Sequence, residues 1–283
     1  MVDDLMKRRY PGDPGEIRPR QTLDNGTPPV RQISAGHPLR WLAAGWRDIW
    51  RAPASLLHGV LVSIVGLAIL WYTWDQPWVA MAAISGFLLV GPALAVGVNE
   101  LARRLEQGDR HGLGIGQCLA AIPALGGSLW LFAALLAGLF IVWAGFMTLW
   151  IGVMNVGNLG MPASLGELFE VMLGTTQGVL SLVGVVVAGG VLALVAFAVG
   201  VVTVPAMLDR RMGLVGAIAI SLKAFARNRV AMLVWAALVT TLFGLSVLTA
   251  LIALIVVFPW LGFAMWHGYR DLVVADRGTQ APD

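Results

Sequence analysis

Apolar positions in this chain fall in long unbroken runs, not in strand-like alternation. A helix crossing the ~30 Å hydrocarbon core of a bilayer needs about 20 such residues at 1.5 Å rise. Runs at about 56–74, 79–98, 128–154 and 179–208 meet that length, and the third and fourth are long enough to tilt. The last run, 230–268, is too long for one span: as a single helix it would reach about 58 Å. Split near Leu248–Ala250, it gives spans at 230–248 and 251–268, with Pro259 inside the second. The pattern predicts an all-α polytopic membrane protein of six transmembrane helices in three hairpins.

Between the runs lie shorter helical patterns with two faces. Pro38 suits a first helical turn in His37–Arg51. Leu39, Leu42, Trp46, Ile49 and Trp50 group on one side, with Arg40, Arg47, Asp48 and Arg51 on the other. Gly213–Arg229 repeats the pattern, with Leu214, Ile218, Leu222 and Phe225 opposite Lys223 and Arg227. Both read as basic amphipathic helices lying in an anionic leaflet or packed on their own bundle. The two units match beyond these helices: Arg103 follows Pro92 by the same interval as Arg270 follows Pro259. A fainter third copy runs from about Gly112 to Arg211, so the chain reads as a repeated surface helix plus hairpin. Ser164–Glu167 has the form of a capping box opening a helix on the opposite face. Small residues at Ala133/Ala137, Ala134/Gly138 and Gly184/Ala188 allow close helix approach, within the bundle or between copies.

Composition agrees with lipid as the main solvent. Of 283 residues, 58% are apolar and 12% charged, and the mean hydropathy is +0.79. Soluble domains carry about 25% charged residues, so a soluble enzyme is excluded. With six spans, all 19 Lys and Arg fall on one side, and the opposite loops carry only Asp75, Glu167 and Glu170. The positive-inside rule then puts both termini in the cytoplasm and the protein in a cell's inner (plasma) membrane. Trp71, Trp74, Trp78 and Trp150 mark the outer interface, and Trp41, Trp46, Trp50, Trp130 and Trp266 the inner one. Residues 1–37 are polar and rich in Pro and Gly and read as a disordered tail, with no cleavable signal peptide. The membrane domain then covers 38–273 and a second tail 274–283. Seventeen arginines against two lysines hint at a GC-rich bacterial genome.

Five ordered stretches resemble a known family: His37-Pro-Leu-Arg-Trp-Leu, Gly91-Pro-Ala-Leu-Ala-Val-Gly, Pro205-Ala-Met-Leu-Asp-Arg210, Trp235-Ala-Ala-Leu and Trp266-His-Gly-Tyr-Arg-Asp271. They are similar to a bacterial integral membrane family catalogued as domain of unknown function 2189, over about residues 35–273. The resemblance implies a polytopic membrane protein and no particular chemistry. Relatives carry a histidine pair near the end of the last span. Here Phe263 stands where the first would be, which speaks against the terminal-oxidase label of some relatives.

Candidate chemistry is sparse. No Asp, Glu, Lys or Arg lies in the middle of a span, where ion-coupled transporters place theirs. Of four histidines, His37 and His111 lie in cytoplasmic segments. His58 and His267 sit near inner span ends and could meet there as haem ligands if those ends are neighbours. Cys118 is the single cysteine, so there is no internal disulfide or thiolate metal cluster. No catalytic triad, zinc motif or phosphate loop is found, and the basic residues of the tail alternate with acidic ones, against nucleic-acid binding. Glu100, Arg103, Arg104, Asp209, Arg210, Arg211, Arg270 and Asp271 form a ring of charge at inner span ends, read either as mutual salt bridges or as a headgroup site. Pro92, Pro205 and Pro259 mark the three returning spans as kinked. The expected function is a non-enzymatic membrane-organising or accessory protein without cofactor. Its partners are membrane lipids, with a second copy or another membrane protein possible. The contact residues expected are Arg40, Arg47, Arg51, Arg103, Arg104, Arg210, Lys223, Arg227 and Arg270. Transport of a small solute or lipid through the proline-broken spans is the alternative, and a redox subunit the second.

Overall fold

The computed structural model describes residues 28–109, 114–155 and 165–273. Among these the regular elements are helices, apart from one isolated bridge between Val30 and Val273. They are α1 (His37–Arg51), α2 (Ser55–Tyr72), α3 (Pro77–Leu94), α4 (Val96–Glu106), α5 (Ile115–Asn155) and α6 (Leu165–Gly174). There follow α7 (Thr176–Gly200), α8 (Thr203–Arg210), α9 (Leu214–Arg227), α10 (Arg229–Leu248) and α11 (Leu254–Leu272). Five stretches are long and apolar enough to cross a membrane: Ser55–Tyr72, Val79–Glu106, Leu125–Trp150, Thr176–Arg210 and Arg229–Leu248. The hydropathy runs count six. The difference is α11, whose last turns carry His267, Tyr269, Arg270 and Asp271, and which buries eleven of its 19 residues inside the protein.

Burial divides the molecule into two tiers. In the five apolar stretches only 22–33% of the most hydrophobic window is buried, leaving residues such as Leu57, Leu61 and Ile64 of α2 and Val183, Val186 and Val187 of α7 exposed. Such surface is costly in water and stable in lipid. The second tier is packed like a soluble core: α4 buries Val96 through Ala102, and α8 buries Thr203 through Leu208. Around these lie α1, α9 and the C-terminal half of α11. Helix α11 is the central element, packed along α1 and α2. Two glycines allow this: a Cβ on Gly59 would stand 2.1 Å from the Ile255 carbonyl oxygen, and one on Gly45 2.7 Å from the Ala264 nitrogen. Trp143 and Trp150 of α5 similarly lie against Gly189 and Gly184 of α7, and their indole N–H groups donate to Ser85 and Ser181. Gly184 is thus used inside the bundle, whereas Gly138 faces open space.

The long helices are broken, and at three of the breaks a neighbouring side chain enters. Between α3 and α4, the Leu94 carbonyl accepts from His58 Nε2 at 3.1 Å. Between α7 and α8, Ser221 of α9 enters the ladder: its Oγ donates to the Ala198 carbonyl at 2.7 Å and accepts from the Val202 N–H at 3.4 Å. One hydroxyl therefore stands in for the missing Val202-to-Ala198 helical bond, an inserted side chain being a recognised cause of a kink. Thr203 Oγ1 donates to the Val199 carbonyl beside it. Between α10 and α11 the chain reverses through Ala250 (φ 49°) and Leu251 (φ 66°), and Ser63 of α2 donates to the Leu251 carbonyl at 3.0 Å. Gly126 (φ 53°, ψ −139°) kinks α5 near Leu125, where its apolar part begins, a conformation that glycine adopts without steric cost.

One expectation about the N-terminal region is corrected. Residues 28–36 are not a free tail. Val30 is 3% exposed, the Arg31 N–H donates to the Leu272 carbonyl at 2.7 Å, and Asn228 brackets the strap. The Asn228 Oδ1 accepts from the Ile33 N–H at 2.8 Å, and its Nδ2 donates to the Arg31 carbonyl at 2.9 Å. One amide side chain thus supplies the pairing of a short strand. The expected tail residues 1–27 and 274–283, His111 and the Ser164 cap lie outside the described residues.

Candidate membrane-surface site

The basic residues singled out from the sequence separate into two groups. Arg103, Arg104, Arg210 and Arg270 come together with acidic partners where α4, α8 and α11 end. Arg103 makes two 2.8 Å bonds to Glu100, and Arg104 bonds Glu100 at 2.7 Å. Arg270 lies 2.9 Å from both Glu106 oxygens and 3.1 Å from Asp209, with its guanidinium over the Trp266 ring. Trp266 donates to Glu106, and the Tyr269 hydroxyl donates to Asp209 while accepting from Arg210. Burial, together with the Asp209 charge it faces, pushes the Tyr269 phenol well above its usual range, Arg210 opposing only in part. This cluster is a clamp between α4, α8 and α11, with its positive charge largely met by the chain's own carboxylates.

The second group lies on α1 and α9. The face of α1 differs from the one expected. Trp41, Leu42, Gly45, Asp48 and Ile49 are buried, and Leu39, Trp46 and Trp50 are exposed beside Arg40, Arg47 and Arg51. The reason is the partner helix: Asp48 points inward because His267 of α11 meets it at 2.7 Å, and Trp41 because its indole donates to Asp271 at 2.7 Å. Burial pushes the Asp48 carboxyl up, but bonds and charge from His267 and Arg51 outweigh this and hold it below its usual value. Trp46 packs edge-on against both Trp50 and Trp260, and Trp260 donates to the Leu42 carbonyl. On α9, Ala217, Ile220, Ser221 and Ala224 are buried. Val215 and Leu222 are exposed with Arg227, and Lys223 is half-buried. Trp46–Arg51 and Leu222–Arg227, which share an apolar and basic pattern, thus turn equivalent positions outward.

His58 and His267 do not meet. His58 stacks on Phe258, nine residues from His267, or about 13 Å along the helix. His37 bonds Ser34. Among the described residues, no group of three or more His, Cys, Asp or Glu is placed to hold a metal. Residues that sequence reasoning missed are Asn228, Ser221 and Ser63, and Trp41, expected at the inner interface, is instead buried with its indole on Asp271. Their roles depend on partners far along the chain. Only the proline positions and the length of the last apolar run signalled breaks that would need filling.

These features define a polytopic helical integral membrane protein. Residues 79–209, from α3 through most of α8, match the family model described as "Predicted integral membrane protein (DUF2189)". The matched range holds the Gly91–Gly97 stretch and nearly all of Pro205–Arg210, and leaves the other three motifs outside it. No curated protein and no solved structure matches the chain.

Proposed function

We propose that this is a non-enzymatic, multi-pass protein of the inner (plasma) membrane that organises the membrane surface or serves as an accessory subunit. Its basic face contacts anionic lipid or a cytoplasmic partner. In this reading α11 is the sixth span, and both termini are cytoplasmic. Support comes from the reversal at Thr249–Ala253 and from contacts pairing Gly59 with Ile255 and Gly66 with Leu251, which run α11 opposite to α2. The observation that carries the function is the outward placement of Arg40, Arg47, Arg51 and Arg227 on helices beside spans without central charges. Native mass spectrometry of the protein extracted from its own membrane in mild detergent tests it. Retained anionic lipid or a second polypeptide, lost when Arg40, Arg47, Arg51, Lys223 and Arg227 become glutamine, is the expected result. A bare monomer with measurable solute flux in proteoliposomes would replace it with the transport reading.

A further inference from the structure

We propose that the outward strip of α1, formed by Leu39, Arg40, Trp46, Arg47, Trp50 and Arg51, is an anionic-phospholipid headgroup site, and that the Arg103/Arg104/Arg270 clamp is not. The proposal rests on the basic-face reading above and commits that face to lipid.

The strip cannot turn inward. Trp41 is tied to Asp271, the Leu42 carbonyl to Trp260, and Asp48 to His267, while Gly45 sits against Ala264 with no room for a Cβ. Upstream, the strap bracketed by Asn228 holds the entry to the helix. What α1 leaves outside is therefore a fixed surface: Leu39 is 58% exposed, Trp46 40% and Trp50 66%. Three large apolar side chains in a row are out of place against bulk water. Two of them are indoles, whose apolar body and polar N–H suit the headgroup level.

Position agrees. Only Ala52–Ala54 separate α1 from α2, so the strip lies beside the end of an apolar stretch, where a leaflet surface would be. Charge agrees as well. The only acid of α1, Asp48, faces inward to His267 and bonds Arg51, and Arg47 and Arg40 are exposed about one and three turns before Arg51. Guanidinium groups bind phosphate with paired N–H donors, and aromatic rings beside them set depth. In the clamp, by contrast, Arg103, Arg104 and Arg270 already engage carboxylates at 2.7–3.1 Å, so a phosphate would have to displace Glu100, Glu106 or Asp209.

The test uses the full-length protein in nanodiscs of equal parts phosphatidylglycerol and phosphatidylcholine, with bound lipids weighed by native mass spectrometry. The wild type is expected to enrich phosphatidylglycerol. Arg40→Gln/Arg47→Gln/Arg51→Gln should lose that preference, by up to about fivefold per arginine, the equivalent of roughly 1 kcal/mol for each basic residue near an anionic surface. Lys223→Gln/Arg227→Gln should retain most of it. If the triple variant fails to fold, Arg47→Gln alone, exposed and away from the buried face, should still lower the enrichment. Unchanged enrichment in the α1 variants overturns the proposal. So does equal loss in the α9 variant, although the basic-face reading then stands. A wild type that holds no anionic lipid but a polypeptide released by the α1 substitutions also overturns the lipid assignment and keeps the broader reading. Neither lipid nor polypeptide would sink both.

Discussion

Replacing Ser221 by alanine isolates one hydroxyl that holds a helix break together. Ser221 is fully buried, and its oxygen serves both the Ala198 carbonyl and the Val202 N–H. A buried backbone group left without a partner costs about 1–3 kcal/mol in proteins generally, and interhelical hydrogen bonds in membranes average nearer ~0.6. The 2.7 Å bond should carry most of the effect and the 3.4 Å bond less. Loss of both together should therefore destabilise by about 2 kcal/mol, unless the helix straightens so that Val202 bonds Ala198 directly. Straightening is opposed at Gly200, where even a Cβ would come within 3.1 Å of Pro92, and by the second bracket from Thr203 to Val199. The assay is unfolding in mixed micelles titrated with sodium dodecyl sulfate, followed by tryptophan fluorescence. Ser246→Ala is the control: Ser246 is equally buried, but its hydroxyl only back-bonds the Leu242 carbonyl of its own helix, and its loss should cost under about 0.5 kcal/mol. If Ser221→Ala proved no worse than that control, the hydroxyl would not be what satisfies the break.

Gly59→Ala should destabilise α11 packing by roughly 1–3 kcal/mol, because the new methyl meets a backbone carbonyl that cannot rotate away; a thermal melt in detergent checks it, and Gly138→Ala, facing open space, should be near neutral. The Asp48 carboxyl lies below its ordinary value of 3.8 in the folded protein, so its contribution is complete above that pH and is lost as pH falls through the lower folded value. The stability gap between wild type and Asp48→Asn should accordingly close on acidification below 3.8, as followed by pH-dependent unfolding. Burial raises the Cys118 thiol to about 11, so maleimide labelling should be slow at neutral pH in the folded protein and fast after unfolding. Asn228→Ala removes both side-chain bonds to the strap and should speed hydrogen exchange at Ile33 well beyond any effect on α10.

Two helices match the apolar runs closely, whereas α5 begins at Ile115, well before the run at 128–154. The helix ends at Ser55–Tyr72 and Arg229–Leu248 lie within one or two residues of the hydropathy runs at 56–74 and 230–248. The clamp was legible only as a ring of like-placed charges. The pairs of Arg103 and Arg104 with Glu100 follow from i, i+3 and i, i+4 spacing within α4, whereas the meeting of Arg270 with Glu106 and Asp209 was decided by how α4, α8 and α11 pack. The amphipathic face of α1 was misread because Asp48 counts as polar wherever it points. Only the presence of His267, 219 residues away, makes its inward position stable. The strap at 28–36 was hidden for the same reason: nothing local distinguishes its polar composition from an unpaired tail, and Asn228 lies far along the chain.

Sequence alone determined that lipid is the main solvent and that the chain holds several apolar stretches long enough to cross a membrane. Transfer of a 20-residue apolar segment into hydrocarbon is a sum over its own residues and needs no partner. Tertiary structure decided what the sum cannot contain. It made α11 the packed centre of the bundle, turned Trp46 and Trp50 outward and Asp48 inward, and filled three of the helix breaks with a side chain from another helix. Those outcomes depend on directional hydrogen bonds and close approach between residues distant in the chain, and a one-dimensional pattern carries neither.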